Sequence, residues 1–165
     1  MTASLRSILG LSAGAIALAS IASAATATAD FNVKIQITSE CLINSASDLD
    51  FGTTGVIATA IPGTSTLGIQ CTSGTTYSVG ISAGAGVGAT VAARKMTGPS
   101  SQTVQYSLYR DAPHTLLWGV SIGSNTLAGT GNGANQIITV YGLVPVQTTS
   151  GVGSYTDTVT ATVTY

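Results

Sequence analysis

Few residues in this chain are equipped for chemistry, and their spacing narrows what they can do. His114 is the only histidine, so any Ser-His-Asp relay must run through it. It lies in Asp111-Ala112-Pro113-His114-Thr115, where Pro113 breaks a strand and the residues predict an exposed turn. No G-x-S-x-G nucleophile elbow accompanies it. Asp48 and Asp50 form a carboxylate pair of the kind glycoside hydrolysis needs, but residues two apart on a strand share one face, which is usually solvated. The glycine clusters at 84–88 and 129–133 read G-x-G-x-G, without the spacing or the helix of a phosphate cradle. Arg94 and Lys95 stand alone as a basic pair, too small to hold a polyanion. No enzyme is expected, with no catalytic residue, metal ligand or cofactor.

The remaining reactive pair is Cys41 and Cys71. Its meaning depends on compartment, and the N-terminus addresses that. Arg6 is the only early charge, residues 8–21 are apolar and uncharged, and small residues follow. Met1 to Ala29 therefore reads as a secretory signal peptide. Ala22-Ser23-Ala24 and Ala27-Thr28-Ala29 both fit the small-x-small rule, and cleavage is expected after Ala29, with Ala24 the alternative. The apolar run is short for a membrane anchor, which needs ~20 residues. In an exported chain two cysteines predict one structural disulfide. Closing that loop is worth about 3.7 kcal/mol in the chain-entropy model.

Composition sets the elements that must carry these residues. Of 165 residues only 7% are charged, the net charge is −1, and there are 20 glycines and 45 serines and threonines. That excludes charge-driven disorder, a coiled coil and a nucleic-acid binder, which needs a basic footprint. Period-two alternation dominates after the signal peptide. It is seen in Phe31–Ile37, Thr66–Cys71, Tyr77–Ile81 and Val104–Leu108, and in the ending Thr158–Tyr165. The longer apolar run Ile137–Val144 predicts a central strand. Turn signals at 84–88, 97–100 and 129–133 separate these runs. Short strands between such turns predict an all-β sandwich, with the aromatic residues mostly in its core. The first strand, Phe31–Ile37, either covers an edge of its own domain or completes another copy; the pattern leaves both open.

Several stretches resemble the spore coat protein U family, which includes major subunits of archaic, Csu-type chaperone–usher pili. They are Phe31–Ile37 followed by Cys41, Leu49-Asp50-Phe51-Gly52, Cys71-Thr72-Ser73-Gly74 and Arg94-Lys95-Met96. Further on come Tyr106–Ala112 with Trp118-Gly119, Val140-Tyr141-Gly142 and Gly153–Val159. The resemblance implies an immunoglobulin-like sandwich that lacks its last strand and is completed by donor-strand addition. It implies residues 1–29 as signal peptide, 30–38 as donor strand and 39–165 as the pilin-like domain. Phe31, Val33, Ile35 and Ile37 become the donor face, and Val159, Ala161, Val163 and Tyr165 the edge of the acceptor groove. The implied partners are identical or related subunits, a periplasmic chaperone and an outer-membrane usher, and the implied location is the cell surface. A spore or cell-surface coat protein of the same fold is the alternative. A small outer-membrane β-barrel fits less well, because Thr-rich outward faces make a poor lipid surface. A carbohydrate-binding domain has only Trp118 as a stacking platform.

Overall fold

Alternating apolar and polar residues become eight antiparallel strands in the computed structural model, which describes residues 23–165. The apolar run of the expected signal peptide, residues 8–21, lies outside the described residues. The strands are β1 (Cys41–Ala46), β2 (Ile61–Cys71), β3 (Thr76–Ile81), β4 (Arg94–Thr97), β5 (Thr103–Tyr109), β6 (Leu127–Thr130), β7 (Asn135–Val144) and β8 (Ala161–Thr164). They form a five-stranded sheet in the order β1-β2-β7-β5-β4 and a three-stranded sheet in the order β6-β3-β8. The run at 137–144 is central, as its largely apolar character predicts. This is the immunoglobulin-like, two-sheet architecture expected, and its strands do not close into a barrel.

The core lies between the inner faces. Leu67, Ile69 and Cys71 of β2, Val104, Tyr106 and Leu108 of β5, and Val140 and Val144 of β7 meet Tyr77, Val79 and Ile81 of β3, with Trp118 among them. Each such side chain contributes about 1.5–3 kcal/mol by leaving water. The Leu49–Phe51 segment packs on a flat place made for it. Gly63 and Gly142 face each other across β2 and β7, and a Cβ on Gly142 would come within 2.7 Å of the Leu49 side chain.

Two units are distinguished, Met1–Ile35 and Gln36–Tyr165. The sandwich belongs wholly to the second. In the first, the described residues 23–35 carry no helix or strand.

Several expectations need correction. Three strands, β1, β4 and β6, have no clear alternation in the sequence, and β6 takes in Gly129 and Thr130, expected in a turn. Asp48 and Asp50 follow β1 in irregular chain; Asp50 Oδ1 accepts from the Gly52 N–H at 2.7 Å, a local turn bond rather than half of a catalytic pair. The last ladder covers only Ala161–Thr164 of the expected Thr158–Tyr165 strand. His114 does sit in a turn, with φ +58°, but its ring is half-buried, edge-on to Tyr109 and Tyr141. Those two tyrosines are therefore on the outer face of the larger sheet instead of in the core.

Candidate functional site

Two edge strands, one from each sheet, leave the sandwich unfinished. β1 pairs only with β2, and β8 only with β3. Each therefore has a row of backbone N–H and C=O groups without a ladder partner among the described residues. Residues opposite one another in an antiparallel pair share a face. Cys41, Ile43 and Ala46 sit opposite Cys71, Ile69 and Leu67, which are buried. Ala161 and Val163 sit opposite Ile81 and Val79, buried too.

The inner rows of β1 and β8 thus face the core side, with Cys41, Ala161 and Val163 packed against the core, yet they are not covered. Ile43 is 40% exposed. Val159 and Tyr165, which continue the alternation of β8 at either end, are 37% and 59% exposed, while Ala161 and Val163 are half-buried. β1 and β8 approach each other across this seam. An apolar row flanked by unpaired strand edges has the geometry that strand addition uses.

Local chemistry holds β1 in place. The Cys41–Cys71 disulfide, with an S–S distance of 2.03 Å, fixes the start of β1 to the end of β2. The register then shifts between Ile43 and Ser45, a bulge centred on Asn44. Asn44 Nδ2 donates to Gln70 Oε1 at 2.9 Å and to Asn135 Oδ1 at 3.3 Å. The bulge returns Ala46 to the inner face.

The other residues expected at the site lie in the N-terminal segment. Phe31, Val33, Ile35 and Ile37 are 84%, 86%, 88% and 75% exposed and belong to no strand. Four large apolar side chains at period two with no cover are costly in water. Ala29, the expected cleavage residue, is exposed in irregular chain.

Sequence reasoning missed a second feature, a buried polar pillar at β4. Arg94 is fully buried, and its guanidinium donates to four carbonyls: Ser82 O (2.8 Å), Val91 O (2.9 Å), Ile81 O (3.1 Å) and Trp118 O (2.6 Å). Trp118 Nε1 donates to Val79 O at 2.8 Å. Tyr106 Oη donates to Asp157 Oδ2 at 2.8 Å, and Asp157 Oδ1 accepts from the Ala85 N–H at 2.8 Å. Burial pulls the Arg94 pKa down from its usual value, opposed by Tyr106 and Asp157 nearby. Burial, then the hydrogen bond to Asp157, pushes the Tyr106 phenol up. The pillar joins the two sheets.

Among the described residues His114 is not brought beside a catalytic partner, and its Nε2 has no hydrogen-bond partner there. Asp111 instead organises its own turn. Partial desolvation raises its pKa, but bonds from Thr115 Oγ1 and from the Leu116 and Thr115 N–H groups outweigh that and hold it below the ordinary carboxylate value.

The sequence matches the family described as the Spore Coat Protein U domain over residues 27–162. It is 34% identical over 158 residues to "Protein U" of Myxococcus xanthus, covering 87% of this chain and 88% of that protein. Among solved structures it is similar to a chain of the chaperone–tip adhesion subunit pre-assembly complex from archaic chaperone-usher Csu pili of Acinetobacter baumannii. That likeness has a TM-score of 0.58 and 21% identity and covers 78% of this chain. This chain spans 40% of the length of that one, and the likeness is one of fold.

Proposed function

Starting from the fact that the chain belongs to the Spore Coat Protein U domain family, we propose that it is a structural subunit of an extracellular fibre of the archaic chaperone–usher type, linked by strand exchange. In this reading residues 1–29 are removed on export, residues 30–38 are the donor strand, and residues 39–165 are the domain that receives a donor from the next copy. One observation carries it: an exposed apolar row between the edges of β1 and β8, in a chain whose residues 31–37 carry a second exposed apolar row with no strand partner among the described residues.

The two rows match in length and period. Phe31–Ile37 and Val159–Tyr165 each run seven residues with an apolar residue at every second one, about 20–23 Å of extended chain. Burying four donor side chains contributes ~1.5–3 kcal/mol each, before the cost of ordering the strand is subtracted. The backbone ladder adds ~0.5–1.5 kcal/mol per bond. A head-to-tail contact of this kind does not close on itself, so copies add into a fibre. Until a sibling arrives the seam needs cover. A periplasmic chaperone supplies a strand there, and an outer-membrane usher presides over its replacement. The fibre then stands at the cell surface, where it serves attachment or biofilm formation. The family description favours a second reading, a spore or cell-surface coat protein of the same fold that forms no pilus.

The test is deletion of residues 30–37 from the gene in its own cell. The truncated chain is expected to accumulate as a chaperone-bound monomer, with surface filaments gone from electron micrographs. Filaments of normal length built from the truncated chain would overturn the reading. Normal assembly into a coat layer, with filaments absent even in the parent, would favour the second.

A further inference from the structure

A donor segment joined directly to one wall of its own groove is poised to fill it. Ile37 is separated from Cys41, the first residue of β1, only by residues 38–40, a length at which strands reverse into hairpins. A chain that turned there would lie on the free edge of its own β1 and satisfy its own seam.

Hydrogen bonds at this link oppose the turn. The Thr72 N–H donates to Glu40 O at 2.9 Å, and the Glu40 N–H donates to Thr72 Oγ1 at 3.2 Å. The β1–β2 ladder therefore runs one pair beyond Cys41–Cys71, with a side-chain oxygen replacing a backbone acceptor. The Thr72 hydroxyl reaches Thr38 O at 3.0 Å, with Glu40 O at 3.4 Å as a second acceptor. Thr72 is itself anchored by the neighbouring disulfide and by the Thr75 N–H on its carbonyl at 3.0 Å.

We propose that Thr72 is a positioning residue that holds residues 38–40 in line with β1, keeping the donor segment out of its own seam and offering it to a second copy. The inference rests on the strand-exchange reading above. With the link held, a reversal must fall at Ile37 or earlier, which takes Ile37 out of the apolar row.

The experiment uses the chain from residue 30 onward, disulfide intact, diluted from denaturant at low concentration. Size-exclusion chromatography reads the ratio of monomer to linked species, and limited proteolysis reads the protection of residues 31–37 in the monomer. Thr72→Val, which keeps the backbone bond but loses the hydroxyl, is expected to raise the monomer ratio about two- to tenfold. Its monomer should protect the segment, and Thr72→Ser should restore the parent ratio. A Thr72→Val chain that links like the parent, or whose monomer is cleaved at 31–37 as fast, overturns the proposal. If Thr72→Val does not fold, three glycines inserted between Thr38 and Ser39 must produce the same shift, and an unchanged ratio overturns it equally. Linking by a chain without residues 30–37 would instead show that the strand-exchange reading has failed.

Discussion

The β4 edge and the β1–β8 seam solve the same problem in opposite ways. Both are sheet margins with backbone groups that need partners. At β4 the chain closes the margin itself. Thr97 exchanges two bonds with Thr156, at 2.8 and 3.1 Å, Lys95 Nζ caps Val87 O at 3.3 Å, and Arg94 fills the space behind with four bonds of its own. At the seam the disulfide and the Asn44 bulge hold β1 in position but cover nothing, and apolar side chains are left in water. In the proposed reading the closed margin is the fixed part of the molecule, and the open one is the seat for a strand from another copy.

If that contrast is right, the two margins respond differently to truncation. The largest effect is expected at the closed one. Trp118 is fully buried and its ring nitrogen is spoken for, so Trp118→Ala should cost about 3–5 kcal/mol through cavity and lost bond. Urea unfolding should report that loss whether the chain is alone or assembled. A loss that appears only in assembled material would mean that the pillar is not the fixed part of the molecule.

Ile43→Ala sharpens the contrast from the other side. Its side chain is 40% exposed in the single chain, so truncation there should cost no more than about 1 kcal/mol. With a strand seated over it the site becomes core, and the same truncation should cost about 2–4 kcal/mol. Denaturant midpoints of monomer and fibre, measured on the parent and on Ile43→Ala, separate the two values. Equal losses in both states would place Ile43 outside the seat.

How much of this was legible beforehand follows from what alternation encodes. Long strands with one buried face, such as β2, β3, β5 and β7, carry their fold in period two, and the central place of β7 shows in its apolar run. β1 carries no such signal, because its inner residues Cys41, Ile43 and Ala46 are interrupted by the bulge at Asn44, which puts them out of phase. β4 is only four residues long and contains a buried arginine, a residue type that periodicity assigns to solvent. The four carbonyls that satisfy Arg94 come from residues 81, 82, 91 and 118, and no local pattern foretells their convergence. Phe31, Tyr109, Tyr141 and Tyr165 depart from the expectation that aromatic residues pack in the core, and of these Phe31 and Tyr165 lie in the segments proposed for exchange.

The smallest expected effect tests how firmly the closed margin is tied to the open one. The Tyr106 phenol has a raised pKa in the fold, from burial first and then from its bond to Asp157. The neutral phenol therefore stabilises the fold in full below the unfolded value of about 10. That contribution fades as pH climbs toward the higher folded value, because the unfolded chain releases the proton first. Tyr106→Phe should cost about 1 kcal/mol at neutral pH, since it removes one hydrogen bond and leaves Asp157 Oδ2 without that donor. Above pH ~10 the parent should lose stability faster than the variant, so the gap between them narrows. Urea unfolding of both chains at stepped alkaline pH measures this, and a gap that stays constant would mean that the phenol is not buried against Asp157. Asp157 also accepts from the Thr158 N–H at 2.8 Å, and the Thr160 N–H donates to Ser82 Oγ at 2.9 Å on the way into β8. Loosening the pillar should therefore speed amide exchange along β8 while leaving β1 unaffected, since the disulfide anchors β1 independently of the pillar.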